Sequence, residues 1–156
     1  MKKLKKLMAV LLIVASMFSL QGCSYYEELT TPVTTHEVVM NETNSFAFHV
    51  NLKADLTQNY KWYVYSTADI DIADTTYREG LFNDTYTSEY KYITRTEGEF
   101  DLYLVLVKDS NLETARIFPY DMKVTSEGVT FTEMSAYNLN TDKKLMNTLE
   151  GVLTLE

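Results

Sequence analysis

The sequence predicts an all-β fold, and three observations carry that prediction. Between residues 36 and 132 apolar residues recur at every second position in short stretches rich in tyrosine, threonine and valine, the period of a strand with one face turned to a core. Turn signals separate these stretches at Asn83-Asp84, Glu97-Gly98, Asp109-Ser110-Asn111, Phe118-Pro119 and Glu127-Gly128. About seven short strands at this spacing make the expected architecture an antiparallel β-sandwich of immunoglobulin-like type, with two sheets sharing one apolar interior.

The elements follow in order. A first strand is expected at His36 to Met40. In the second, Phe46, Phe48, Val50 and Leu52 fall on one face, with Ser45, Ala47, His49 and Asn51 on the other. Tyr60, Trp62 and Val64 then alternate with Lys61, Tyr63 and Tyr65. From Tyr86 to Thr94, Tyr86, Tyr90 and Tyr92 share a face opposite Thr87, Glu89, Lys91 and Ile93. The strongest alternation is Phe100, Leu102, Leu104 and Leu106 against Asp101, Tyr103, Val105 and Val107. Further strands are expected at Thr114 to Phe118, Asp121 to Thr125 and Val129 to Thr132, with a turn at Phe118-Pro119 between the first two. Residues 138 to 156 have two readings. Thr141-Asp142-Lys143-Lys144 suits the start of a short helix, and Gly151 to Leu155 alternates as a terminal strand; a hairpin extending one sheet is the favoured expectation.

The segment ahead of these strands is of another kind. Lys2, Lys3, Lys5 and Lys6 precede an apolar run from Leu7 to Leu20 broken only by Ser16 and Ser19. That run is shorter than the roughly 18 residues a membrane-crossing helix needs, and the small Gly22 precedes the expected cut, as in a secretory signal. The stretch Leu20-Gln21-Gly22-Cys23 resembles the lipobox of bacterial lipoproteins. The resemblance implies that the Cys23 thiol receives a diacylglyceryl group and that a signal peptidase then cuts before it. A deprotonated thiol is nucleophilic, which suits it to that alkylation. Two or more acyl chains, at ~0.8 kcal/mol per buried CH₂, hold a folded domain firmly on a bilayer. The alternative, an ordinary signal peptide before a free cysteine, leaves an exposed thiol in an oxidising compartment.

The expected organisation is a signal peptide over residues 1–22, a lipidated tether over residues 23–35 and a sandwich domain over residues 36–156. The expected location is the outer side of the cell membrane, or an outer membrane. Four of the 14 basic residues lie in the signal, so the remainder carries ten against 22 acidic residues, a net charge of −12. That balance excludes a nucleic-acid binder, which needs clustered cations to neutralise phosphates. It also leaves the lipid as the expected membrane contact. Once Cys23 is acylated no cysteine remains for a disulfide, and the isolated His36 and His49 do not make a zinc site with thiolates.

Two constellations are candidates for binding. Asp69, Asp71 and Asp74 are spaced closely enough to supply several of the six to eight oxygens that calcium takes. An EF-hand loop would add a central glycine and a glutamate at its twelfth position, and both are missing. Ile70 and Ile72 alternate with these aspartates, which favours a solvated edge strand. The second constellation is the tyrosines that share strand faces, Tyr63 with Tyr65 and Tyr86 with Tyr90 and Tyr92; the favoured binding surface within it is Trp62, Tyr63 and Tyr65 with Tyr90 and Tyr92. Exposed on one face, such rings would stack on sugars or anchor a protein partner; buried, they serve as core and cross-strand pairs.

The catalytic inventory is poor. The chain contains no Gly-x-Ser-x-Gly elbow, no His-Glu-x-x-His and no phosphate-cradling glycine loop among its five glycines. Carboxylate pairs arise readily in so acidic a chain and do not single out a glycosidase. His49 is expected at the surface and His36 beside the tether. The sequons at Asn41 and Asn83 mark polar turns.

Tyr60-Lys61-Trp62-Tyr63-Val64-Tyr65, followed by Gly98-Glu99-Phe100-Asp101-Leu102-Tyr103-Leu104-Val105-Leu106-Val107-Lys108-Asp109, resembles the tyrosine-rich immunoglobulin-like accessory modules of bacterial surface proteins known as triple-tyrosine domains. The same alternation is similar to PKD domains, although the Gly-Asp-Gly turn that usually follows their tryptophan is missing. Covering residues 45 to 125, the resemblance implies a non-catalytic extracellular binding or spacer module. The expectation is therefore an envelope binding domain without enzymatic activity or cofactor, recognising a protein or a polysaccharide. A structural accessory subunit of an envelope assembly is the alternative.

Overall fold

A computed structural model describes residues 34–40, 46–79 and 85–155. The lipidation site Cys23 and both sequon asparagines lie outside the described residues. Strands β1 (Thr35–Met40), β2 (Ala47–Asp55), β4 (Ile70–Glu79) and β5 (Thr85–Thr94) form one antiparallel sheet in the order β1-β2-β5-β4. Strands β3 (Tyr60–Ser66), β6 (Gly98–Lys108), β7 (Asn111–Thr125) and β8 (Gly128–Glu133) form the second in the order β3-β6-β7-β8, with the short β9 (Tyr137–Asn138) also pairing to β7. The chain is thus an all-β sandwich, as its alternation predicts.

The shared interior collects the alternating residues. Phe48, Val50 and Leu52 of β2 meet Trp62 of β3, Leu102 and Leu104 of β6, and Met122 and Val124 of β7. Each large apolar side chain removed from water contributes roughly 1.5–3 kcal/mol. Phe48 stacks on Tyr92 at 5.4 Å between ring centres and meets the edge of Phe131 at 4.9 Å, geometries that aromatic quadrupoles favour.

A second core lies on the other face of the second sheet, and it corrects the expectation for the C-terminal residues. Residues Lys143–Val152 form a helix, α1, and not a hairpin strand. The Asp142 side chain accepts the Leu145 N–H at 3.0 Å and caps the first turn. Leu145 and Leu149, one turn apart, pack with Leu139 against Val105, Val107, Leu112, Ala115 and Ile117. The physical reason is in β6, whose two faces are both apolar from Leu104 to Val107. One face fills the sandwich, and the other needs a cover that an amphipathic helix supplies. Leu153 and Leu155, beyond the helix, pack on the same cluster.

The expected turn at Phe118-Pro119 is also absent. Residues 111–125 run as one strand. On the side of β7 away from β6, β8 pairs with Tyr120 to Thr125 and β9 with Arg116 and Ile117. Pro119 falls between these two ladders, directly opposite Met134, whose N–H its carbonyl accepts at 2.9 Å. Its missing N–H leaves out the reciprocal bond, and the β8 ladder ends there.

Candidate functional site

The five aromatic residues singled out in the sequence do not form one platform. Trp62 and Tyr92 are buried in the interior, 7 % and 5 % exposed. The Trp62 ring donates Nε1–H to the Lys53 carbonyl at 2.9 Å, and Tyr92 lies between Phe48 and Tyr90. Tyr63 and Tyr65 point to the opposite face of β3 and pack on the helix-covered core, where Tyr65 stacks on Tyr103 at 6.0 Å. The cause is the pleat: adjacent residues of β3 face opposite sides, while β5 belongs to the other sheet.

Three of the five, Trp62, Tyr63 and Tyr90, do meet in an open cleft along one side of the sandwich. There β3, an outer strand of the second sheet, faces β4 and β5 of the first. Tyr77, Tyr86 and Ser88 complete the walls, Lys61 and Thr154 stand at the rim, and the enclosed volume is about 360 Å³. Tyr77 stacks on Tyr86 with ring centres 5.7 Å apart and planes 28° apart, and Tyr90 stacks on Tyr92 at 6.0 Å. Tyr77 is 56 % exposed, so the cleft presents a ring face to solvent. Its hydroxyl donates to Glu79 at 3.3 Å.

The deeper part is polar and fixed. The Tyr86 hydroxyl accepts the backbone N–H of Trp62 at 2.8 Å, satisfying a donor on the outer edge of β3. Burial pushes the Tyr86 phenol up to about 12, opposed by that hydrogen bond. Tyr92 is raised further, again by burial. Both phenols are therefore neutral across the physiological range.

Tyr77 is the cleft ring that the sequence does not signal. Tyr86 belongs to the tyrosine constellation read from the sequence but lies outside its favoured binding set. Tyr77 lies five positions after Ile72, so strict alternation would set the two on opposite faces. A bulge re-phases the strand: Ile72 pairs with Tyr92 and Asp74 with Lys91, leaving Ala73 without an opposite residue. Tyr77 consequently stands opposite Ser88 and turns toward the cleft.

The aspartates take the edge-strand reading. Asp69 precedes β4, and Asp71 and Asp74 project from it, all exposed. Asp71 lies 4.0 Å from Arg95, Asp74 is opposite Lys91, and among the described residues no three potential metal ligands converge.

The histidines divide. His49 is hydrogen-bonded to Glu89 at 2.9 Å near the surface. His36 lies within β1 and inside an aromatic cluster, with its ring centre 4.1 Å from Phe118 and 5.3 Å from Trp62. Burial lowers its pKa, Glu133 at 3.9 Å partly counters that, and Arg116 lowers it further.

Other hollows among the described residues are larger. One of about 490 Å³ surrounds His36, Trp62 and Phe118, one of about 480 Å³ lies over Asp101, Asp121 and Lys123, where the two aspartates face each other across β6 and β7, and one of about 400 Å³ lies between Glu37, Lys53 and Thr87. None of these offers the stacked, solvent-facing rings of the β3–β4 cleft. Compared with protein-family models, curated proteins and solved structures, the chain matches none.

Proposed function

We propose that this protein is a lipid-anchored, extracytoplasmic binding module of the cell envelope that performs no chemistry and takes its ligand in the β3–β4 cleft. The observation that carries the reading is the pair of stacked rings Tyr77 and Tyr86 beside Tyr90, with one ring more than half exposed at the mouth of the cleft. Flat aromatic faces bordered by hydroxyls suit the apolar face of a sugar ring or the aromatic anchor of a protein partner. The strand orders β1-β2-β5-β4 and β3-β6-β7 and the buried tryptophan on β3 support an immunoglobulin-like module. The lysine-rich, then apolar, start ending at Cys23 supports lipid anchoring.

The test is affinity capture from intact cells with the lipidated protein crosslinked in place, analysing both proteins and polysaccharides. Tyr77→Ala is compared with the unaltered chain. Loss of the captured material in the variant supports the cleft; equal capture by both removes it as the binding surface.

A second reading, a structural accessory subunit, draws support from the outer edge of β4, which is unpaired among the described residues. The C-terminal residues expected to provide such an edge are instead a helix and its tail.

A further inference from the structure

Among the described residues β4 pairs only with β5, so its other edge is open. An open edge is a template for another strand, and proteins commonly blunt it with charged side chains, proline, a β-bulge or short length. β4 runs for ten residues, Ile-Asp-Ile-Ala-Asp-Thr-Thr-Tyr-Arg-Glu, with neither lysine nor proline; it carries a bulge at Ala73 and the charges of Asp71, Asp74, Arg78 and Glu79, so it can pair only with a strand that matches both. Ile72 and Tyr77 stand 60 % and 56 % exposed on it. Through the bulge both turn to the face shared with Tyr92 and Ser88.

We propose that β4 pairs antiparallel with β4 of a second copy of this chain, about a two-fold axis through Thr75. With Ala73 bulged out of the ladder, four paired positions lie on either side of Thr75. The strand is then complementary to its own reverse. Ile72 meets Tyr77, Asp71 meets Arg78, Asp74 meets Thr76, and every residue meets one on the same face of the sheet. Opposite charges and aromatic–β-branched pairs directly across a ladder are the favourable combinations. Arg78 is the strand's single cation, and this register sets it against Asp71. The neighbouring face-preserving registers are poorer. One sets Asp74 against Asp74 of the second copy; the other keeps an opposite-charge pair, Asp74 against Arg78, but sets Ile72 against Glu79 in place of Tyr77 and leaves Ile70 and Asp71 beyond the ladder, whereas the proposed register sets only the terminal Ile70 against Glu79.

The present partners of these groups yield readily. Asp71 and Arg95 are both largely exposed at 4.0 Å, a weak pair. Asp74 Oδ1 accepts the Thr75 N–H at 2.8 Å and, being exposed, has only to turn to solvent to release it. A two-fold axis normal to the sheet keeps the second sheets of both copies on one side. The two Tyr77 rings then border a common trough onto which both clefts open. Tyr77 serves both the cleft and this ladder, so the tests of dimerisation leave it in place and read the association state with no ligand added.

The experiment uses the full chain in detergent with Cys23 replaced by serine. Across an antiparallel pair, directly opposed Cα atoms lie about 4.5–5.5 Å apart, within the range a disulfide spans. Thr75→Cys is expected to form a disulfide-linked dimer on mild oxidation, whereas Glu79→Cys, at the far end of the strand, is not. By sedimentation equilibrium, Asp71→Arg or Arg78→Asp alone weakens dimerisation about tenfold, because each dimer contains the pair twice and attraction becomes repulsion. The double variant Asp71→Arg/Arg78→Asp restores it. A monomer at every concentration, equal crosslinking at residue 79, or failure of the double variant to recover would overturn the proposal.

Discussion

The Tyr86 hydroxyl on β5 accepts the Trp62 backbone N–H on β3 at 2.8 Å, so a side chain of one sheet satisfies the outer edge of the other. Tyr86→Phe keeps the ring and its stacking but strands a buried donor, which costs about 1–3 kcal/mol. The loss is measured as a lower urea midpoint at unchanged slope.

The same phenol sets an alkaline limit. Its folded value of about 12 lies above the ordinary value of 10.0, with burial the main cause. The unfolded chain therefore loses the proton first, and stability that is complete below pH 10 is lost as the pH climbs toward 12. Tyr120 and Tyr137, each also raised to about 12 by burial, act in the same direction. Tyr86→Phe is expected to lessen this decline, as followed by circular dichroism across an alkaline titration.

His36 produces the opposite slope. Burial against Phe118 and Trp62 holds its folded pKa below the ordinary 6.5. The unfolded chain then binds the proton more readily, so stability is fully present above 6.5 and falls as the pH drops through 6.5 toward the folded value. Between pH 7.5 and 6 the melting temperature of the unaltered protein is expected to decline, and His36→Phe is expected to flatten that segment. An unchanged slope in the variant would assign the decline to other groups.

Leu149 anchors the helix that covers the second sheet and is fully buried. Leu149→Ala is expected to lower stability by about 2–5 kcal/mol, the range for removing a buried leucine side chain. Asp142→Ala, which deletes the helix cap, costs a smaller ~0.5–2 kcal/mol. Thermal unfolding monitored at two wavelengths checks both, with the leucine variant the more damaging.

Pro119 tests the gap between the β8 and β9 ladders. Pro119→Ala loosens the unfolded chain, which lowers stability by about 0.4–1 kcal/mol, and adds an N–H opposite the Met134 carbonyl that offsets part of it, so the net loss is no larger than that. A larger loss in urea titrations would mean that the ring itself packs in the sandwich.

Much of the fold is legible in the sequence, for a physical reason. The strand period of two is local, so Phe48, Val50 and Leu52, or Leu102 and Leu104, announce the face they bury. The alternation of Tyr86, Tyr90 and Tyr92 likewise places them on one face, but whether that face looks inward or outward depends on what packs over it. The candidate site was legible only in fragments. Trp62, Tyr63 and Tyr90 are conspicuous, while Tyr77 enters the cleft because one residue, Ala73, slips out of register with β5. No local pattern records that slip, since it arises in pairing with a strand that follows later in the chain.

The C-terminal residues show the same division. Asp142 and the leucines at 145 and 149 are compatible with a helix, and Gly151 to Leu155 with a strand; local propensity alone decides weakly between them. The sequence by itself determined the alternating strands, their inward residues and the acidic character of the chain. The tertiary structure decided which outer face needs a cover, that α1 provides it, and that β3 and β4 leave an aromatic cleft open between them. Those outcomes depend on burial shared among segments far apart in the chain, which is fixed only when the two sheets meet.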